Sequence, residues 1–289
     1  MEIIKYPDGS SYAKMHDYDS PNEFVFRINT YEDLWHLNQV VDAWNHRYDK
    51  QPTIIIPNLI DAQADRRFNY DESSGLKLVC KFLNDMDAKF KIFHPHNPEV
   101  VEALMDNVKV IDNSEFIKKV LLEVREVIMK PNYSDILYNN NLILMSSDAG
   151  GFKPLMKLCD KIEWEGETYS ASKSRERYGK TNKLPNSTSI RQLVDREDFQ
   201  GKDILIIDDI SVYGGTFKGL AKLLRERNCG KLYLAVSHMT VQNLGEDPVT
   251  NYFDKVFTTD SKYGKYYKGK SNLGIEGMIP KNLEIIKLF

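Results

Sequence analysis

The sequence predicts an α/β fold, with mostly parallel sheets flanked by helices and two halves of similar order. Three observations carry that expectation. Short β-branched runs alternate with longer amphipathic stretches. DILII at 203–207 is the most convincing strand, and TIIIP at 53–57 is a continuous apolar run, as suits a strand buried on both faces. The strand-then-helix order also restarts after a polar stretch at 131–140 that holds three consecutive asparagines.

The elements follow in order. FVFRI (24–28) reads as a strand. Thr30, with Asp33 three residues on, has the pattern of a helix N-cap, and Leu34, Leu37, Val41 and Trp44 then share one helical face. TIIIP (53–57) is an apolar run ended by proline. Ser74 opens a helix with Leu76, Val79, Cys80 and Leu83 inward. KFKIF (89–93) and 108–111 add two strands, and 114–127 is strongly helical. The connector at 131–140 divides the chain into 1–129 and 130–289. NLILM (141–145) restarts the pattern, followed by SSDAGG and a helix over 152–161. DILII then leads into DDISVYGGT and a helix to Arg227. LYLAVS (232–237) and KVFTT (255–259) close the series. The stretch 175–189, RERYGKTNKLPNSTS, is polar and basic and reads as a long loop, of a length that is usually functional or mobile.

Composition narrows the function. The 289 residues suffice for one large or two modest domains with a real core. A net charge of -3 argues against nucleic-acid binding through bulk electrostatics. No apolar run approaches the roughly 20 residues that span a bilayer, and the first residues lack the layout of a secretory signal. Three scattered cysteines, Cys80, Cys159 and Cys229, form no CxxC site and suit a reducing, cytoplasmic compartment.

The chemistry gathers at 204–216. A buried strand meets two adjacent carboxylates, Asp208 and Asp209, and Gly214, Gly215 and Thr216 follow at the start of a helix. In open α/β sheets ligands bind at the carboxyl ends of strands. Glycines there let backbone amides approach a phosphate, and the helix N-terminus adds its positive dipole end. The carboxylates suit the vicinal hydroxyls of a ribose or a bound Mg²⁺. The plainer alternative is an acidic turn before a glycine-rich loop.

This motif resembles the 5-phosphoribosyl-1-diphosphate (PRPP) loop of type I phosphoribosyltransferases and PRPP synthetases. Further segments resemble the synthetase, ribose-phosphate diphosphokinase, in the family's order from Tyr6 to Thr259. Tyr6-Pro7-Asp8-Gly9 is similar to its Phe-Pro-Asp-Gly, which supplies adenine contacts from a neighbouring subunit. PNLIDAQADR (57–66) is similar to its ATP segment, and His94-Pro95-His96 to its Asp-Leu-His. Residues 146–151 resemble Ser-Pro-Asp-x-Gly-Gly, and Lys173-Ser174-Arg175 resembles Lys-Arg-Arg.

The resemblance implies two phosphoribosyltransferase-like domains in a divergent, N-terminally shortened member. It implies a Mg²⁺-dependent transfer of diphosphate from ATP to ribose 5-phosphate by a homo-oligomer. Tyr6, Asp8, Gln63, Asp65, Arg66 and His96 fall to ATP, and His96 and Asp148 to the metal. Lys173 and Arg175 fall to the migrating group, and Asp208, Asp209, Gly214, Gly215 and Thr216 to the ribose phosphate. Departures stand out. Gln63-Ala64 replaces Arg-Gln, Ser10 replaces a glutamate, and Val212-Tyr213 replaces Asp-Thr beside the glycines. The same chemistry on a larger acceptor such as ADP-ribose is one alternative. A phosphoribosyltransferase and a non-catalytic regulatory relative are others. On the residues alone, Asp148 also reads as a helix cap, and Lys173 and Arg175 as solvated strand-edge charges.

Overall fold

The computed structural model describes residues 2–16, 22–67, 69–128, 141–176, 189–262 and 280–289. The chain forms two compact units. One holds Met1–Asp112 with Asp260–Gly264 and Phe289, and the other holds Asn113–Thr259 with Lys265–Leu288.

The first unit opens with an antiparallel hairpin, β1 (Glu2–Lys5) and β2 (Ser11–Lys14). Its turn closes through Tyr6 N–H to Ser10 O at 2.8 Å, with Gly9 at φ +88°. A parallel sheet follows in the order β3 (Glu23–Val25), β4 (Thr53–Ile56), β5 (Lys89–Phe93), β6 (Val108–Ile111). Its helices are α1 (Tyr31–Tyr48), α2 (Gly75–Asn84) and α3 (Pro98–Leu104).

The expected capping box opens α1: Thr30 Oγ1 accepts from Asp33 N at 3.2 Å, and the Asp33 carboxylate accepts from Thr30 N at 2.8 Å. Leu76, Val79, Cys80 and Leu83 are the buried residues of α2, as their spacing predicts. The run 24–28 is a strand only to Val25. Phe26 still donates to Ile55 O at 2.9 Å, while Arg27 pairs with Asp260 at 3.1 Å.

The second unit begins with α4 (Ser114–Ile128), which packs on α5 (Phe152–Ile162) and β12 (Leu232–Met239). The expected division at 129/130 therefore lies one helix later than the boundary at Asp112, and the connector at 131–140 falls outside the described residues. The sheet strands are β7 (Leu142–Ser146), β8 (Glu167–Ser170), β11 (Asp203–Ser211), β12 (Leu232–Met239), β13 (Lys255–Thr259) and β14 (Leu283–Ile286). All are parallel, in the order β14-β13-β12-β11-β7-β8. α5 (Phe152–Ile162) joins β7 to β8, and α6 (Gly215–Glu226) joins β11 to β12. The winding runs outward in one direction after β7 and in the other after β11. The topological switch point, where open α/β sheets take their ligands, thus lies between β7 and β11.

Two expectations change here. The strand read at 203–207 runs on to Ser211, because β12 continues pairing as far as Ser211↔Met239 after β7 stops at Ile207↔Ser146. The stretch read as a loop at 175–189 has strand at both ends: β9 (Ser172–Glu176) and β10 (Ser189–Leu193) form an antiparallel ribbon. Among the described residues no helix is long and apolar enough to cross a membrane.

Candidate active site

The switch point carries the predicted carboxylates. Asp208 and Asp209 lie inside β11, where the ladder to β7 has just ended. The Ser147 hydroxyl, from the residue after β7, donates to Asp208 Oδ2. Asp208 Oδ1 accepts the Asp209 amide at 2.8 Å. Burial, and then the adjoining Asp209 carboxylate, push the Asp208 carboxyl well above the usual carboxylate range, against the two hydrogen bonds from Ser147 and the Asp209 amide.

Beyond β11 the chain turns into α6. Gly214 is the N-cap at φ +72°, and no side chain caps the helix. A Cβ at Gly214 would stand 2.9 Å from Val249 Cβ and 3.0 Å from Asn243 Oδ1, so both conformation and space require glycine there. A Cβ at Gly215 would meet nothing within 4 Å. The first turn of α6, with Thr216 at its second position, thus opens onto free space beside Gly215. Val212 and Tyr213, before the glycines, are exposed, Tyr213 by 70%.

Asp148 lies beside Ser147 at the same strand end. Its Oδ1 accepts Gly151 N–H at 3.1 Å and caps the 3-10 turn Ala149–Gly151. The capping reading of Asp148 is therefore realised, and Oδ2 is left without a hydrogen-bond donor among the described residues. Lys173 and Arg175 occupy β9, at register positions opposite Gln192 and Ile190. The ribbon's other strand, β10, packs on α6.

The residues expected on the ATP side lie in the first unit. Asp65 accepts from Asn97 Nδ2 at 3.2 Å, and Asn97, the N-cap of α3, follows the exposed His96. The strand ends of β4 and β5 thereby bring together Asp65 and the His96-Asn97 segment. Gln63 and Arg66 are exposed nearby in sequence. Tyr6 and Asp8 belong to the hairpin, which is held to α1 by Gln39 Nε2 donating to Ser11 O at 2.6 Å. Tyr6 stacks on Tyr12 at 5.7 Å. Asp8 Oδ1 accepts from Ser10 Oγ at 2.7 Å and Ser10 N at 2.9 Å, which holds its carboxyl below the usual range. Neither residue bonds to the Asp65 group. Ser10, where the resemblance expects a glutamate, therefore serves to fix Asp8.

Two contributors escaped the sequence reading. Ser147 adjoins a singled-out residue, yet only the β7–β11 pairing shows that it reaches Asp208. Asn243 binds the backbone before Gly214 from some thirty positions away, and no local pattern marks it.

Comparison with known proteins agrees with this geometry. Residues 112–266, just over half of the chain, match the family described as Phosphoribosyl transferase domain. The match begins where the second unit begins. The ribose-phosphate pyrophosphokinase of Pyrococcus abyssi is 26% identical over 242 residues, covering 82% of this chain and 75% of its own. That of Sulfurisphaera tokodaii is 24% identical over 267 residues, covering 89% and 82%. The crystal structure of phosphoribosylpyrophosphate synthetase from Mycobacterium smegmatis shares the fold at a TM-score of 0.69 and 18% identity, over 99% of this chain and 85% of that one. With the family matched over the unit that carries the glycine turn and the paired aspartates, the chain belongs to the phosphoribosyl transferase domain family, as a divergent relative of the ribose-phosphate pyrophosphokinases.

Proposed function

We propose that this enzyme transfers the β,γ-diphosphoryl group of ATP to the anomeric hydroxyl of a ribose 5-phosphate unit. The anomeric oxygen bonds to the β-phosphorus and loses its proton, the bond from that phosphorus to the α-phosphate bridge breaks, and AMP leaves. One observation carries the reading: Asp208 and Asp209 stand at the switch point of a parallel sheet, a few residues before an uncapped helix start open at Gly215. The carboxylates hold the ribose hydroxyls and orient the anomeric oxygen. The amides of Gly214, Gly215 and Thr216 hold the 5-phosphate. Lys173 and Arg175 meet the charge on the migrating group, since such transfers rest on positioning and charge neutralisation. Tyr6, Asp8, Gln63, Asp65, Arg66 and His96 are assigned to ATP.

The donor set suits Mg²⁺ that arrives with the nucleotide. Among the described residues no three His, Cys, Asp or Glu side chains converge as a metal cage. Mg²⁺ keeps waters and phosphate oxygens and takes few protein ligands. Asp148, through Oδ2, would be such a ligand, and His96 would act through water, since imidazole is a poor direct partner for this ion. When bound, the ion neutralises charge along the phosphate chain.

A second reading keeps the chemistry and enlarges the acceptor. Val212 and Tyr213 stand exposed where the resemblance expects Asp-Thr, so the loop offers an apolar and aromatic surface beside the 5-phosphate site. An ester such as ADP-ribose suits that wall. Incubation with Mg²⁺, ATP and either ribose 5-phosphate or ADP-ribose, with products resolved by mass, decides. AMP with a diphosphorylated acceptor supports the reading and names the acceptor. Diphosphate release from PRPP with a nucleobase, without AMP, would replace it by a phosphoribosyltransferase. Binding of ATP with no turnover on any acceptor would point to a regulatory relative.

A further inference from the structure

We propose that Asn243 is the positioning residue that sets the 5-phosphate loop before ligand arrives, a role that rests on the acceptor site proposed above. Asn243 is fully buried. The two N–H groups of its Nδ2 are shared among Ser211 O at 2.7 Å, Val212 O at 2.9 Å and Thr240 O at 3.0 Å. Its Oδ1 accepts the Ser211 hydroxyl at 2.5 Å. Thr240 reinforces the same two carbonyls, with Oγ1 donating to Val212 O at 2.6 Å and its amide to Ser211 O at 3.0 Å. The backbone between the paired aspartates and the glycines is thus clamped at two successive carbonyls by one side chain.

The direction of that clamp matters. In a trans peptide the C=O and the following N–H point opposite ways. Drawing the carbonyls of Ser211 and Val212 toward Asn243 turns the N–H groups of Val212 and Tyr213 away from it. Asn243 Oδ1 also lies 3.0 Å from where a Gly214 Cβ would be, so the amide fits against the left-handed turn as well. Orientation of two peptide planes and of the turn into α6 therefore passes through one buried amide. Preorganised donors avoid reorganisation when charge arrives. Asn243 touches no reacting atom in this account, and its effect runs through the loop.

The test separates positioning from general stability. In Asn243→Asp an oxygen replaces the amide nitrogen and faces three carbonyls. In Thr240→Val one hydroxyl donor is lost and the backbone bond stays. Asn282→Ala is the control: Asn282 Nδ2 holds Thr250 O and Phe253 O, each at 2.9 Å, and never meets the loop. KM is measured separately for ATP and for the acceptor that the wild type uses. The expected result is an acceptor KM raised at least tenfold in N243D and about threefold in T240V, with the ATP KM within twofold and both constants unchanged in N282A. An unchanged acceptor KM in folded N243D overturns the proposal. If N243D does not fold, an unchanged acceptor KM in T240V overturns it. Equal rises of both constants reduce Asn243 to a structural role. A wild type that neither turns over nor binds a ribose phosphate sinks the acceptor site itself, and the role of Asn243 falls with it.

Discussion

A carboxyl group within a buried strand is costly unless it keeps its proton or finds partners. Asp208 finds partners in the Ser147 hydroxyl and the Asp209 amide, and burial and then the Asp209 carboxylate raise its carboxyl above the usual range. The sign of its pH effect follows. Its value in the folded chain lies above the roughly 3.9 of an unfolded aspartate. The stability it contributes is fully present below about pH 4 and is lost as the pH rises through the raised value. Thermal unfolding of the ligand-free protein between pH 4 and 8 should show that decline, and Asp208→Asn, which cannot ionise, should flatten it. A wild-type profile that parallels D208N would mean that Asp208 ionises normally. The cysteines give a second check at this scale. Burial raises the thiols of Cys80 and Cys159 to about 11, so a thiol reagent at pH 8 should leave both unmodified until the chain unfolds. Rapid labelling of either in the native protein would contradict their packing. Asp208, Asp209 and the glycines were legible because their chemistry is written within eight consecutive residues. Ser147 and Asn243 were not, because each acts on a residue that only the folded sheet brings near.

The turn from β11 into α6 shows what each glycine does within an element. Gly214 is fixed by conformation and crowding, whereas Gly215 has open space where a side chain would stand. The two alanine variants should therefore part ways. Gly214→Ala should lower Tm, since the left-handed turn is strained and Val249 stands 2.9 Å from the added carbon. Gly215→Ala should leave Tm unchanged or slightly higher, because alanine favours helix, yet, on the proposed reading, raise the acceptor KM at least tenfold by filling the space assigned to phosphate. Acceptor binding unharmed in G215A would place the phosphate elsewhere. Elements with strong local signals read correctly from sequence: the Thr30 capping box, the inward face of α2, and the helix at 152–161, which α5 extends by one residue. Those without such signals did not. The strands β1, β2, β8 and β14 have four residues each and little alternation to count. The β9–β10 ribbon is defined by pairing across a polar stretch, and the charged run that begins at Arg175 reads locally as loop.

At the scale of the molecule, the two halves share an alternation of strand and helix but differ in winding. The first unit's sheet runs β3-β4-β5-β6 in chain order, while the second reverses direction between β7 and β11. Local sequence announces strands and helices, but strand order depends on which edge each crossover chooses, so the repeated pattern suggested two more similar halves than the sheets display. The placement of α4 shows the same limit. An amphipathic helix declares that it has an apolar face, not which sheet will cover it. Here Phe116, Ile117, Val120 and Val124 are fully buried, in a helix that packs on α5 and β12. At about 1.5–3 kcal/mol for each large apolar side chain, these four contribute on the order of 6–12 kcal/mol. The entropy of ordering the helix offsets part of this gross gain, but its loss is large beside a domain's net stability of about 5–15 kcal/mol. A fragment spanning 113–289 should therefore unfold cooperatively by circular dichroism and calorimetry. One spanning 130–289, cut at the polar connector, should lack a cooperative transition and bind a dye for exposed apolar surface. Equal cooperativity in the two fragments would show that α4 is dispensable to the unit that holds Asp208 and Gly214, and would move the boundary back to the connector.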